Sequence, residues 1–176
     1  MLIALSGLPG TGKTTIARLL ASQLPAVHVR IDTIEQALLR TGWAAPLGAE
    51  AYIVGHGIAA DNLRRGHLVL ADCVNAAQLS RDAWDHVAQT CGVRCLHVGL
   101  VCGNAVEHRR RVLERTADIP GHELPTWAEV AALRWDPPAA GTLWIDTSVC
   151  SAETAAQTIV RRVRGSSHPW PSKQAT

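Results

Sequence analysis

The chain has no phenylalanine, one tyrosine and one methionine among its 176 residues, so six tryptophans supply most of its aromatic bulk. No apolar run approaches the roughly 20 residues that a helix needs to cross a bilayer, which predicts a protein without a membrane span. The first residues have the pattern of a core strand, and we therefore expect no signal peptide. The formal net charge of +2 is too small to indicate a nucleic-acid surface by itself.

Cysteine pairs of the Cys-x-x-Cys type are also absent. The five cysteines are Cys73, Cys91, Cys95, Cys102 and Cys150. An odd number without paired spacing predicts reduced, mostly buried thiols in a cytoplasmic protein, and it does not favour metal binding by these cysteines. The length predicts one domain over residues 1–165, and the polar, proline-broken stretch 166–176 predicts a flexible tail.

Short apolar strands alternate with helical stretches along the whole chain. The predicted strands are Leu2–Ser6, Val27–Ile31, His67–Ala71, Arg94–Val101 and Thr142–Ile145. The predicted helices are Lys13–Gln23, Thr33–Arg40, Gly48–Arg65, Ser80–Cys91, Ala105–Arg115, Thr126–Trp135 and Ala152–Val163. Consecutive apolar positions are typical of strands that are covered on both faces. The alternation predicts a three-layer α/β fold with a parallel sheet, and a ligand at the carboxyl ends of its strands.

One octapeptide fits the phosphate-binding pattern Gly-x-x-x-x-Gly-Lys-[Ser/Thr]. Its residues are Gly7, Leu8, Pro9, Gly10, Thr11, Gly12, Lys13 and Thr14, and Thr15 follows. It stands between a predicted strand and a predicted helix, where backbone N–H groups can surround a polyphosphate. We expect Lys13 to reach the β and γ phosphates of ATP and the Thr14 hydroxyl to hold Mg²⁺. An ordinary glycine turn is the alternative, and the context disfavours it.

Two acidic residues end predicted strands. Asp72 follows the run Leu68–Ala71, which is the layout of an acid that holds Mg²⁺ through water beside Thr14; capping of the next turn is the alternative. Asn75 lies in the same turn and is a candidate for orienting ligand or loop. Asp32 ends the second strand, from which its carboxylate could accept the proton of an attacking hydroxyl. Asp32 also fits the N-cap of a capping box with Glu35, and the two roles are compatible.

Arginines cluster on the predicted helix Ala105–Arg115. Arg111 and Arg115 are four residues apart and share a face, where their repulsion favours a visiting anion. We expect them to act as lid arginines, with a solvated face as the alternative. In that alternative, ordinary surface ion pairs join Glu107 to Arg111 and Arg110 to Glu114. The turn-rich segment 116–125 follows, and it is a candidate lid over ATP.

The segment between the second and third strands is a candidate wall for a small acceptor. Its residues of interest are Trp43, Tyr52, Ile53, Val54 and His56, for each of which ordinary helix packing is an equal alternative.

Together these stretches resemble a known group of enzymes. The matching residues are the loop 7–15, Asp32, the run 68–75, the pair Arg111 and Arg115, and the segment 145–148. They look like the single-domain phosphate-loop kinases that include the kinase half of phage polynucleotide kinase, zeta toxins and chloramphenicol phosphotransferase. The resemblance covers about residues 1–165. It implies a five-stranded parallel sheet in the order 2-3-1-4-5 and transfer of the γ-phosphate of ATP to a hydroxyl.

The resemblance also implies roles for individual residues. Asp32 would be the base, Arg111 and Arg115 would clamp the phosphates, and the segment from Asp146 to Cys150 would border the adenine. The leading hypothesis is a Mg²⁺- and ATP-dependent kinase acting on a small-molecule hydroxyl acceptor. A 5′-hydroxyl polynucleotide kinase is less favoured, since no basic channel lined by aromatic side chains is evident. A switch module that only binds and hydrolyses ATP is the third hypothesis.

Overall fold

The computed structural model of the protein describes residues 1–42, 48–137 and 140–165. The strands are β1 Leu2–Ser6, β2 Ala26–Arg30, β3 Leu68–Asp72, β4 Cys95–Val101 and β5 Leu143–Asp146. The helices are α1 Lys13–Gln23, α2 Ile31–Arg40, α3 Glu50–Arg64, α4 Gln78–Thr90, α5 Ala105–Glu114, α6 Trp127–Ala132 and α7 Ala152–Arg164. Trp43 and the predicted tail 166–176 lie outside the described residues. No described helix has both the length and the apolarity to cross a bilayer.

All five strands are parallel, in the order β2-β3-β1-β4-β5. This confirms the predicted sheet and its order. Every residue of β1 and β3 is buried, because helices cover both faces of the sheet and both strands lie inside it. The carboxyl ends of these strands meet at one edge, where the loop after β1 and the end of β3 come together.

Two apolar cores flank the sheet and give the predicted three layers. One core packs α1 and α7 against side chains such as Ile3, Leu5 and Leu100. The other packs α3 and α4 against the opposite face, with Trp84 as its largest fully buried side chain. Burying an aliphatic or aromatic side chain of this kind stabilises the fold by about 1.5–3 kcal/mol. The cores thereby fix the strand ends that form the candidate site.

Two predicted boundaries are wrong in ways that affect the site. Strand β2 ends at Arg30 and α2 begins at Ile31, so Asp32 lies inside the first helical turn. Arg30 occupies the N-cap, but its side chain does not cap the helix. The predicted capping box at Asp32 and Glu35 is therefore incorrect. Because α2 follows β2 without a loop, the carboxylates of Asp32 and Glu35 both lie on α2.

Helix α6, Trp127–Ala132, is shorter than the predicted helix Thr126–Trp135. Thr126 and Glu129 form a reciprocal capping box. The helix ends at Ala132 because the following segment turns towards α4. There the Asp136 N–H donates to the carbonyl of Ala76, 3.0 Å away, and the Asp136 carboxylate accepts from the N–H of Gln78 at 2.7 Å.

Candidate active site

The glycine-rich loop lies between β1 and α1, as predicted. The N–H of Gly7 donates to the carbonyl of Val74 at 3.0 Å, which joins the start of the loop to the segment after β3. Inside the loop, the Thr11 hydroxyl donates to the Leu8 carbonyl at 2.9 Å, and the Lys13 ammonium donates to the same carbonyl at 3.0 Å. The loop is thus closed on itself with the Lys13 side chain folded over it.

Two glycines are required by the loop's backbone. Gly10 and Gly12 have φ values of +85° and +88°, a region that side chains rarely tolerate. A Cβ on Gly10 would also lie 2.7 Å from Cγ2 of Val112. Within the described part of the chain, no side chain caps α1 at Gly12. The N–H groups of the first turn of α1 therefore face the crevice, and an anion such as a polyphosphate fits there.

Asp72 is 2% exposed at the end of β3, beneath the loop. Burial opposes its ionisation, but the hydrogen bond from His28, the charge of Lys13 and the Thr14 hydroxyl together lower the pKa of Asp72. The His28 Nε2 atom is 3.3 Å from the Asp72 carboxylate. A carboxylate beside a hydroxyl is a donor set that suits Mg²⁺. Burial lowers the pKa of Lys13, while the charges of Asp72 and Asp32 act to raise it.

A crevice of about 840 Å³ opens above the loop. It brings together Asp32, Arg111 and Arg115 with the exposed side of the loop, although these parts are far apart in sequence. The loop residues on its wall are Pro9, Gly10, Gly12, Lys13, Thr14 and Thr15. The other predicted loop residues, Gly7, Leu8 and Thr11, do not line this crevice; Gly7 and Thr11 are buried behind it.

Two carboxylates line the same crevice from α2. Asp32 lies 3.6 Å from a guanidinium nitrogen of Arg30. Glu35 lies three residues later on the same helical face, and burial together with the charge of Asp32 raises its pKa. Sequence reasoning used Glu35 only as a capping residue; its spacing from Asp32 was the signal that both share a face.

Arg111 is held in place at both ends of its guanidinium. Its Nε donates to Glu107 at 2.7 Å, and its two terminal nitrogens donate to the Thr147 hydroxyl at 3.0 Å and the Thr147 carbonyl at 2.9 Å. Hydrogen bonds from Arg110 and Arg111 lower the pKa of Glu107 to about 2. The predicted pairs of Glu107 with Arg111 and of Arg110 with Glu114 are confirmed. Arg111 therefore connects α5 to the segment after β5.

Arg115 stands at the C-cap of α5 and also faces the crevice. Within the described residues it forms no ion pair. Burial lowers its pKa, the charge of Asp32 acts to raise it, and Arg30 lowers it further. A partly buried guanidinium without a direct counter-ion is well placed to receive an anionic group.

The segment after α5 is fastened across the crevice by Asp118. Its carboxylate accepts hydrogen bonds from the two terminal nitrogens of Arg30, at 2.7 and 2.9 Å, and another from Arg18. The hydrogen bonds from Arg30 hold the pKa of Asp118 well below its usual range. Sequence reasoning missed this cluster, because Arg18 is 100 residues and Arg30 is 88 residues from Asp118.

The far wall is formed by the segment after β5. Asp146 accepts hydrogen bonds from the N–H groups of Gly103 at 3.0 Å and Ser148 at 2.8 Å, which lowers the pKa of its carboxyl group and fixes the turn. Thr147 and Cys150, from the stretch that the resemblance places beside adenine, line the crevice.

Asn75 has a structural position rather than a ligand-facing one. It is fully buried with a φ of +49°, donates to the Leu5 carbonyl at 3.0 Å, and accepts from the Trp84 indole at 3.2 Å. Its N–H donates to the Tyr52 hydroxyl at 3.3 Å. It therefore shapes the turn after Asp72.

The other predicted acceptor residues also do not line the crevice. His56 packs edge-on against Trp84, with ring centroids 4.3 Å apart, while Ile53 and Val54 are exposed on α3. The structure brings none of Tyr52, Ile53, Val54 and His56 to the phosphate-binding crevice.

Comparison with known proteins supports this description of the fold. A family model described as "AAA domain" matches residues 2–132. No curated protein matches the sequence.

Many solved structures share the fold of this chain. A candidate kinase from Chloroflexus aurantiacus J-10-fl is 21% identical with a TM-score of 0.73, covering 93% of this chain and 96% of its own. Kti12 from Chaetomium thermophilum, in complex with ADP-AlF3, is 17% identical with a TM-score of 0.66, covering 96% and 100%. The APS kinase CysC from Mycobacterium tuberculosis, in complex with AMPPNP and APS, is 19% identical with a TM-score of 0.62, covering 93% and 96%. At these identities the likeness establishes the fold.

Proposed function

The chain belongs to the AAA domain family, and from that premise we propose that it is a kinase transferring the γ-phosphate of ATP to a hydroxyl of a small-molecule acceptor. One observation carries the proposal. A single crevice joins the phosphate loop, the carboxylates Asp32 and Glu35, and the guanidinium of Arg115. These are the parts that phosphoryl transfer needs: a phosphate cradle, a base and stabilising positive charge.

Each part has a role that follows from its position. The first turn of α1 and Lys13 hold the β and γ phosphates, and Arg115 neutralises charge that develops on the transferred group. Thr14 and Asp72 would hold Mg²⁺, which would supply positive charge to the phosphates. Asp32 accepts the proton of the acceptor hydroxyl as that oxygen attacks the γ-phosphorus. The bond from the γ-phosphorus to the oxygen of the β-phosphate breaks, and ADP leaves with its electron pair.

Asp32 is the preferred base over Glu35 for an electrostatic reason. Arg30 lies 3.6 Å from the Asp32 carboxylate, whereas burial and the Asp32 charge raise the pKa of Glu35. Burial and the neighbouring charge therefore disfavour the ionised form of Glu35, and we assign the proton-accepting role to Asp32.

The crevice favours a small acceptor over a nucleic-acid strand. Among the described residues on its wall there is no tryptophan, tyrosine or phenylalanine, so bases have no aromatic ring to stack on except the imidazole of His122. Acidic and basic side chains are mixed there, and Asp118 forms ion pairs with both Arg18 and Arg30.

The test is transfer of labelled γ-phosphate from Mg-ATP into separate pools of metabolites, hydroxyl-bearing antibiotics, nucleosides and 5′-hydroxyl oligonucleotides. Label in one pool that is lost with Lys13→Ala would support the kinase and name its acceptor class. Label only in the oligonucleotide pool, with binding that weakens steeply with salt, would replace the small acceptor by a nucleic-acid end. ATP hydrolysis that is stimulated by a partner protein, with no label in any pool, would contradict the kinase in favour of a switch.

A further inference from the structure

At the opposite end of the sheet from the crevice, three chemically different ligand groups converge. Cys95 and His97 are two residues apart on β4, so their side chains leave the same face of the sheet. Helix α4 packs on that face and places Asp85 beside them. The Cys95 Sγ atom is 3.5 Å from His97 Nε2, and the same nitrogen is 2.7 Å from Asp85 Oδ1.

Within the described residues, this is the one group of three histidine, cysteine or acidic side chains whose ligand atoms all lie within 4.8 Å of one another. Sequence reasoning disfavoured metal binding because neither the cysteines nor the histidines have the paired spacing of metal ligands. A site with one cysteine, one histidine and one aspartate has no such spacing, and α4 has to pack on β4 to assemble it.

The arrangement differs from a hydrogen-bonded catalytic relay. In a relay, histidine uses one ring nitrogen for the nucleophile and the other for the carboxylate. Here the same Nε2 atom faces both the thiol and the carboxylate, while Nδ1 is buried without a partner among the described residues. Three ligand atoms that converge on a common point match what a cation requires.

The sulfur–nitrogen distance fits zinc as it stands, and the nitrogen–oxygen distance fits after a small movement of Asp85. Zinc–sulfur and zinc–nitrogen bonds of about 2.3 and 2.0–2.1 Å at a tetrahedral angle separate sulfur from nitrogen by about 3.6 Å, close to the observed 3.5 Å. Nitrogen and oxygen would need about 3.4 Å, so Asp85 must withdraw by roughly 0.7 Å from its present hydrogen bond. Its side chain is 53% exposed and free to do so.

We propose that Asp85, Cys95 and His97 form a binding site for one zinc-class divalent ion, separate from the nucleotide crevice. Mixed thiolate, imidazole and carboxylate ligands favour Zn²⁺ over the Mg²⁺ used with ATP. The ion ties α4 to β4 and thereby two layers of the fold. Because only the folded chain assembles the three ligands, binding raises thermal stability by mass action.

The test uses the full chain, stripped of metal by a chelator and titrated with Co²⁺ and then Zn²⁺ in excess Mg²⁺. We expect one equivalent of Co²⁺ to produce a thiolate-to-metal charge-transfer band, and Zn²⁺ to abolish it and raise Tm. Changes to residues around a metal site, outside its direct ligands, already lower metal affinity by about 10- to 100-fold. We therefore expect Cys95→Ser or His97→Asn, which remove a direct ligand, to lower the affinity for Zn²⁺ by about 100-fold or more.

Cys91→Ser is the matched control, because Cys91 lies at the same end of the sheet and its thiol bonds the Ala60 carbonyl. Asp85→Asn changes an exposed side chain, so it keeps the fold while weakening the site. No charge-transfer band in the intact chain would overturn the proposal. So would a band that survives Cys95→Ser, or one that Cys91→Ser removes equally.

Discussion

The Nε2 atom of His108 lies 2.8 Å from the carbonyl oxygen of Pro9, so α5 is hydrogen-bonded directly to the glycine-rich loop. A carbonyl can only accept, which means that this nitrogen carries the proton. His108 is 8% exposed and meets the Trp127 ring edge-on at a centroid distance of 5.3 Å. Because α5 also carries Arg111, the loop and this arginine form one connected unit.

We expect His108→Ala to weaken ATP binding and to destabilise the fold. The change removes a buried hydrogen bond and leaves the Pro9 carbonyl without its partner, which costs about 1–3 kcal/mol. Chemical denaturation and ATP titration measure the two effects. Arg109→Ala is the control on the exposed side of the same helix. Equal behaviour of the two variants would contradict the role of His108.

We expect Asp32→Asn to reduce phosphate transfer by about 10²–10⁴-fold with ATP affinity preserved, since the amide cannot take a proton. Glu35→Gln lies one turn away in the same crevice and should cost much less. Single-turnover transfer and nucleotide titration separate chemistry from binding. A larger loss of transfer rate in Glu35→Gln than in Asp32→Asn would identify Glu35 as the base instead.

Arg111 and Arg115 should differ when each is replaced by alanine. Arg115→Ala removes charge stabilisation, so we expect kcat to fall by about 10²–10³-fold with little change in Tm. Arg111→Ala also breaks the hydrogen bonds to Glu107 and Thr147, so it should lower Tm as well. Measuring kcat and Tm for both variants tests this difference. A drop in Tm for Arg115→Ala alone would refute this division of roles.

The Asp118 contact should depend on pH. Its folded-state pKa is lowered by Arg30, so the stabilisation is present above the unfolded value of about 3.9 and is lost as pH falls through the folded value. We expect the protection of amides in residues 116–125, relative to their intrinsic exchange rate at each pH, to be highest at neutral pH and to fall below about pH 4. Asp118→Asn should lack this protection at neutral pH as well. Full protection in that variant would mean that Asp118 does not fasten the segment.

Asp72→Asn should raise the Mg²⁺ concentration that transfer requires, because the variant removes the charge beside Thr14. The pKa of Asp72 is lowered, so the carboxylate is ionised throughout the neutral range. Activity measured against Mg²⁺ at saturating ATP checks this. His28→Gln, which alters the hydrogen bond to Asp72 without removing its charge, should shift the curve less. An unchanged Mg²⁺ requirement in Asp72→Asn would exclude Asp72 from the metal site.

The sheet was predictable because its signals are local. Consecutive apolar residues in β1 and β3 indicate strands covered on both faces, and the glycines that need positive φ stand next to Lys13 in sequence. The end of β2 was not predictable to the residue. Asp32 suits an N-cap by composition, but the helix starts earlier, because Ile31 is buried in the core beside α3.

What the sequence by itself determined is the α/β class and the place of the phosphate loop between a strand and a helix, since each depends on residues within a few positions of one another. Only the tertiary structure decided that Asp118 binds Arg18 and Arg30, and that Glu35 lines the crevice beside Asp32. Hydrophobic burial sets which helix packs on which strand, and that packing brings charges together across long stretches of chain. Contacts of this kind leave no periodic trace in the sequence.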